Sequence, residues 1–410
     1  MSFSALPSQC DVLVVGAGPA GSACAQWLAR QGLEVVLVDQ HDFPRDKVCG
    51  DGLIPDAHRA LQRLGVHGEV MAAAQSVGHV GCIGPRGGRI DVPGRVAVLQ
   101  RRVLDDILKR SAERAGARFF APLRFEAPLT IGSADARVAG ALLRSATGTH
   151  ELQARWTVLA TGAVPKALMA AGMCDRHTPS GVALRGYVRN GAMRERITEL
   201  EVVWHKRLRK GYGWIFPCRD GVFNIGVGLA HSHARRGDGR ATMADVNLRE
   251  MFQTFGEVYA PARDLLAGGE WVGELKGAPL RCSLEGAQLA RPGLLVTGEA
   301  AGSTYAFTGE GIGKAMETGL IAAETLLAGG SDAAVGERYR QHIGALKPRF
   351  DLYERANRVN DHPWLADLLI WRARKSPRIL QRMAGVLEET GNPGHLVSLR
   401  GITRLFIPLR

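Results

Sequence analysis

The sequence contains no C-x-x-C pair, and its seven cysteines are scattered and odd in number. That pattern excludes a disulfide framework and a structural zinc site, and it points to a reducing, cytoplasmic compartment. Neither H-x-x-x-H nor H-E-x-x-H occurs among the 12 histidines, so no metal site is expected. The first ten residues carry no basic segment, and no run of about 18 apolar residues occurs. A signal peptide and a membrane span are therefore not expected. No internal repeat, low-complexity tract or nucleophile-elbow serine is present.

What is present is globular in character: 410 residues, 46% hydrophobic and 22% charged. That length exceeds one ordinary domain, so two domains or one large one are expected. The net charge of +12 suits an anionic cofactor, an acidic substrate or a membrane surface, and does not by itself imply nucleic-acid binding.

Near the N-terminus, DVLVVG (11–16) reads as a buried parallel strand. Gly16, Gly18 and Gly21 follow in G-x-G-x-x-G spacing. A helix over 19–31 starts at Pro19 and stops before Gly32. A second strand, EVVLVD, ends in Asp39. Gly16 permits the tight turn, Gly18 lets the backbone approach a pyrophosphate, and Gly21 lets helix and strand pack closely. The helix N-terminus offers free N–H groups to the phosphates, and Asp39 is placed to accept ribose hydroxyls. This is a dinucleotide site, but the half-site alone does not separate FAD from NAD.

Residues 41–55 read as a loop around Pro44, Gly50, Gly52 and Pro55, with a helix over 56–64. Within it, FPRDKVCGDGL resembles the P-x-x-K-x-C-G-x-G segment of the geranylgeranyl reductase family of flavoproteins. That family lies within the larger p-hydroxybenzoate hydroxylase-like group of oxidoreductases and monooxygenases. The segment LLVTGEAAGSTYAFTGEGIGKAMETGLIAAETLL resembles the family's G-D-A-A-G, P-x-x-G-E-G-I and A-M-x-S-G run. Here Glu299 replaces an Asp, and Ala306-Phe307 precede Thr308 where relatives have proline. VLQRRVLDDILKRSAERAG resembles the R-x-x-[FL]-D helix opening, with Arg101 and Asp105 on the motif. In RWTVLATG, Thr161 and Gly162 stand where relatives have A-D-G.

The resemblance covers about residues 1–330 and implies FAD. It implies a cofactor contact set of Gly16, Gly18, Pro19, Ala20, Gly21, Asp39, Gln40, Arg45, Lys47, Cys49, Gly50, Arg101, Phe125, Thr161, Gly162, Gly298, Glu299, Gly309, Gly311 and Ile312. A helix N-terminus aimed at the flavin N1–C2=O edge would stabilise the anionic reduced ring. Cys49 would lie near the flavin, either as a proton or hydrogen-bond donor or as a small buried filler. Only one dinucleotide fingerprint is present, so the reductant is external: NAD(P)H or a separate electron donor.

Between 179 and 280, short alternating strands suit an antiparallel sheet. Its GYGWIFP segment resembles the family's Y-x-W-x-F-P motif. Period two puts Tyr212, Trp214 and Phe216 on one face, as pocket wall or as ordinary core. Residues 340–410 carry 13 Lys/Arg against six Asp/Glu. That region reads either as a basic amphipathic surface lying on an anionic membrane or as a helical cap over the pocket.

The expected fold is α/β: an FAD-binding Rossmann-type three-layer domain (1–75, 96–178, 281–340) with an inserted antiparallel substrate domain (76–95, 179–280) and a helical C-terminal region (341–410). The expected activity is reduction of a C=C bond in an apolar isoprenoid or polyene-like small molecule by hydride from reduced flavin. The alternative is a monooxygenase, of hydroxylase or halogenase type, acting on an aromatic ring through a flavin C4a-hydroperoxide. A flavin-bound scaffold is the non-enzymatic reading. Fold analogy does not decide among them.

Overall fold

The computed structural model describes residues 6–132, 137–174, 178–208, 210–230 and 246–393. Two sheets organise the chain. The first has a parallel core in the order Leu294–Val296, Thr149–Leu159, Gln9–Val15, Val35–Val38 and Arg118–Phe120. Its central strand is apolar on both faces, as a covered parallel sheet requires. Leu13 and Val15 join one core with Val38, Leu143 and Leu152, while Val12 and Val14 join another with Leu28 and Ala323. Helices Pro19–Ala29, Arg101–Arg114 and Ile312–Leu327 cover one face. Strand Arg137–Arg144 pairs with the start of Thr149–Leu159 on one side and with Arg124–Ile131 on the other, and these strands cover the other face. The result is three layers.

The second sheet is mostly antiparallel. It runs from Gly181–Arg189 through Val222–Ala230, Gly211–Pro217 and Leu200–Val203 to Gln75–Ile83 and Arg89–Val98. Its strands extend a little beyond the 76–95 segment expected from sequence. Gly52 and Leu53, expected as loop, pair with Val98 and Ala97 at its edge, because the backbone there is drawn in beside the sheet. Period two separates the faces of Gly211–Pro217. Ile215 joins a core with Phe255 of the Leu248–Val258 helix, and Gly213 lies against the Phe255 ring. Tyr212, Trp214 and Phe216 point the other way.

Helices Lys347–Ala356, Trp364–Ala373 and Pro377–Leu387 follow, and Trp204, just past the Leu200–Val203 strand, is buried among Ala356, Leu369 and Ile370. Residues 394–410, the end of the basic C-terminal region, lie outside the described residues. No helix among the described residues is long and apolar enough to cross a membrane.

Close packing at the nucleotide end depends on missing side chains. A Cβ on Gly21 would sit 1.8 Å from the Gly16 carbonyl oxygen, and one on Gly319 would sit 2.2 Å from the Ala20 carbonyl oxygen. The Pro19–Ala29 and Ile312–Leu327 helices therefore meet almost backbone to backbone. Gly319→Val should force them apart at a cost of about 1–3 kcal/mol or more. Gly68→Ala, where a Cβ meets nothing within 4 Å, should leave stability unchanged or slightly higher. Urea midpoints of the two variants check the contrast.

Candidate functional site

A cavity of about 720 Å³ runs from the end of the Gln9–Val15 strand, across the face of the second sheet, to the C-terminal helices. Every residue of the expected cofactor contact set lines it except Gly21 and Gly298, which act in packing, and Tyr212, Trp214 and Phe216 line it too. Gly298 sits in the left-handed region, and a Cβ there would come within 2.5 Å of the Ala20 Cβ.

The nucleotide end is built from the glycine turn and two arginines. Gly16, at φ 101°, could carry no Cβ, which would meet the Ala160 oxygen at 2.3 Å. Gly18 differs. A Cβ there meets nothing nearer than Arg45 Nη2 at 3.6 Å and Arg101 Nη2 at 3.9 Å. Two guanidinium groups thus stand over the backbone amides that open the Pro19–Ala29 helix, and together these make an anion cradle. Asp39 accepts hydrogen bonds from the Ala17 N–H at 2.9 Å and the His41 N–H at 3.0 Å, and pairs with Arg45 at 3.4 Å. A carboxylate has about four acceptor positions, so ribose hydroxyls can still reach it.

Arg101 is gripped by Asp105 in a bidentate pair of 2.7 and 2.9 Å, and Arg45 meets the same carboxylate at 3.1 Å. Burial opposes the charge of Arg101, but the Asp105 carboxylate keeps it protonated. Arg45 Nε and the Thr161 hydroxyl are buried along this wall without a hydrogen-bond partner. Donors left over at a cradle of this kind fit the pyrophosphate and ribityl oxygens of FAD. Glu299, opposite, faces Lys47 at 3.9 Å and Gly162.

The loop bearing Lys47, Cys49 and Gly50 is pinned to the second sheet by residues that the sequence reading missed. Arg185, 1% exposed, donates to Asp46 Oδ1 and the Lys47 carbonyl at 2.8 Å each, and to the Cys49 carbonyl at 3.3 Å. Asn224 donates to the Cys49 carbonyl and to Asp51, both at 2.8 Å, and the Tyr187 hydroxyl donates to Asp51 at 2.6 Å. Burial pushes the Asp51 carboxyl up to about 6 despite Arg185. Burial likewise raises the Cys49 thiol, partly opposed by Arg101, so it is a neutral thiol. The available signal was the alternation of Arg185 and Tyr187 on one strand face.

The rest of the cavity is apolar. The Trp214 indole lies over Gly226 and Gly228, and its N–H donates to Asn224 at 2.9 Å. Phe216 packs under Gly50 and Gly52, and the Tyr212 hydroxyl donates to the Thr308 carbonyl at 2.7 Å. These rings form the floor beside the glycine loop of Gly309 and Gly311. Beyond them the cavity continues between Val202 of the sheet and Leu369, Ile370 and Met383 of the C-terminal helices.

Residues 9–202 match the FAD binding domain family. The menaquinone reductase of Mycolicibacterium smegmatis is 34% identical over 350 residues, covering 79% of this chain and 78% of that protein. Digeranylgeranylglycerophospholipid reductase 1 of Methanopyrus kandleri is 27% identical over 318 residues, covering 77% and 79%. Among solved structures, a geranylgeranyl bacteriochlorophyll reductase-like protein from Thermoplasma acidophilum superposes with a TM-score of 0.71 at 21% identity, covering 97% and 96%. The flavin-dependent brominase Bmp2 reaches 0.73 at 18%, covering 97% of each chain, so the fold is shared with halogenating enzymes too. With a relative this similar along most of both chains, and an arginine-lined cradle suited to FAD, the chain belongs to the geranylgeranyl reductase family of FAD-dependent oxidoreductases.

Proposed function

We propose that the enzyme reduces a C=C bond in the polyprenyl chain of an apolar substrate, such as an isoprenoid quinone or lipid. The observation that carries this reading is the continuity of one cavity. The anion cradle at Gly18, the aromatic floor of Tyr212, Trp214 and Phe216, and the apolar channel past Val202 and Leu369 are a single space. With FAD at the nucleotide end, the apolar stretch past Val202 and Leu369 is left, and a long hydrocarbon fits it. The names of the relatives support an apolar substrate of this class, since a menaquinone and a digeranylgeranyl lipid both carry polyprenyl chains.

When bound, reduced FAD supplies the hydride. Gly18, Arg45 and Arg101 would hold its pyrophosphate, and Asp39 and Glu299 would accept from its hydroxyls. The aromatic floor fixes the alkene, and the apolar walls exclude water from the reacting carbons. The electron donor is external, either NAD(P)H or a separate protein. Exposed Trp364 and Trp371 lie two turns apart on one helix, and Lys375 sits 5.0 Å from the Trp371 ring. That face supports peripheral contact with a membrane from which such a substrate is drawn.

Anaerobic, reduced enzyme mixed with a polyprenyl quinone in detergent should give a product heavier by two hydrogens in mass spectrometry. A product that gains oxygen on exposure to air would replace this reading with the monooxygenase one. Gly18→Val should abolish FAD binding, because the branched side chain fills the pyrophosphate approach. The FAD-free protein should lose no more than about 1 kcal/mol, through a poorer helix cap. Flavin titration and apoprotein melting separate the two effects. Val202→Trp should narrow the channel, lowering kcat/KM for a long polyprenyl chain by at least about tenfold while sparing a single-isoprene analogue. Steady-state kinetics with both substrates measure the ratio.

A further inference from the structure

A cluster of buried charge lies behind the cavity wall where the Ile312–Leu327 helix begins. Asp56, in the first turn of the Pro55–Leu64 helix, is 6% exposed, and neither of its carboxylate oxygens meets a hydrogen-bond donor. The group lies against the Gly313 backbone, where a Cβ would come within 2.2 Å, and faces Lys314 Nζ at 3.9 Å. Lys314, 2% exposed, also meets Glu389 at 2.7 Å and Glu317 at 2.5 Å. Glu389 accepts from the Tyr305 hydroxyl at 2.6 Å and pairs with Arg59 at 2.7 Å and Arg349 at 3.2 Å. Arg59, Arg349 and Glu317 reach solvent. Glu310 stands on the inner side, and it alone of these groups lines the cavity.

The Lys314–Glu389 pair has a structural purpose, since it ties the end of the Pro377–Leu387 helix to the nucleotide layer. Asp56 does not share it. A buried carboxyl without donors destabilises the fold, and an apolar residue would pack there at lower cost. Burial pushes Asp56 up to about 7, although Lys314 pulls it down. Burial and then the Asp56 charge push Glu310 up to about 8. Burial works against Glu389 as well, but Lys314 holds it ionised and below its usual range. The other titratable groups around Glu310 are Tyr212, Tyr305 and Tyr353, and burial raises all three.

Resting on the reduction reading above, we propose that Glu310 donates the proton that completes C=C reduction, and that Asp56 and the Lys314–Glu389 pair return that proton from solvent. The step balances. One alkene carbon takes hydride from reduced FAD as the π bond breaks. The electron pair at the other carbon takes the Glu310 proton, leaving oxidised FAD and the Glu310 carboxylate. Asp56 reprotonates Glu310 and is refilled from the surface through Lys314 and Glu389.

The test uses FAD-loaded wild type, Glu310→Gln and Asp56→Asn, reduced anaerobically and mixed with menaquinone carrying a fully unsaturated tail. Product is quantified by mass spectrometry in single and repeated turnover. Glu310→Gln should keep the flavin spectrum yet slow single turnover by about 100-fold or more. It should also remove a protonated-carboxyl infrared band present in wild type at neutral pH. Asp56→Asn should slow repeated turnover more than single turnover. Stability supplies a further readout. A carboxyl with a raised folded-state pKa stabilises fully below its ordinary value of 4.5 and loses that contribution as pH rises through about 8. Glu310→Gln should flatten that part of the melting profile.

A wild type that forms no hydrogenated product overturns the reduction reading and the relay with it. A wild type that turns over beside an equally fast Glu310→Gln, or a carboxyl band that survives in that variant, overturns the relay alone. Should Glu310→Gln fail to hold FAD, Asp56→Asn decides, and unchanged repeated turnover overturns the relay.

Discussion

One buried carboxylate bridges the substrate-side sheet and the helical layer of the nucleotide side. Asp51 is fully buried and sits in the left-handed region at φ 66°, a conformation that aspartate tolerates better than most residues. It accepts from Tyr187 and Asn224 of the substrate-side sheet, and from the Arg101 N–H at 3.3 Å at the start of a nucleotide-side helix. Removing either side would leave a buried charge unpaired, at a cost of several kcal/mol. This network holds the loop of Lys47 to Gly52 between the arginine cradle and the aromatic floor, and so fixes the geometry of one against the other.

That geometry also needs close approach of backbones. Glycines at 16, 21, 298 and 319 let strand, turn and two helices converge where a phosphate must meet bare amides. Gly50 and Gly52 do the same on the other side, admitting the Phe216 ring beneath the loop. The aromatic floor is therefore positioned by absence of side chains as much as by its own packing. Trp214 belongs to both readings made from the sequence. It is a buried sheet residue hydrogen-bonded to Asn224, and it also lines the cavity.

What the sequence showed and what it hid divide along physical lines. Local spacing carries the glycine turn and Asp39, because each acts within one strand–turn–helix unit, whereas the Gly309–Gly311 loop was legible only through the family resemblance. The alternation around Trp214 marked a face but not which space it faced. The Asp51 network was illegible because it depends on strand register: Tyr187 pairs directly with Asn224 across two strands, and that pairing aims both donors at one point. Asp56 and Lys314 lie too far apart in the chain for any spacing rule to join them. A lone Asp at a helix start reads as a favourable first-turn acid, and only the fold shows it facing inward.

The C-terminal region left two readings open, cap and membrane surface, and its helices bury one face and leave two tryptophans exposed on another. Leu365, Leu369, Ile370 and Ala373 point inward, where Leu369 and Ile370 close the channel. The cap is held at three places. Asn360 accepts from the Trp204 indole at 2.7 Å, Asn357 donates to the Ala230 carbonyl at 2.7 Å, and Glu389 pairs with Lys314. Trp364 and Trp371 point outward on the same helix. Hydride transfer to an unactivated alkene needs water excluded, and a polyprenyl chain needs a way in from a lipid phase. A helix that seals the channel with one side and presents tryptophans with the other can meet both requirements, since sealing and lipid contact use opposite faces. The proposed membrane contact would thus place the channel mouth at the lipid surface without opening the reacting carbons to solvent.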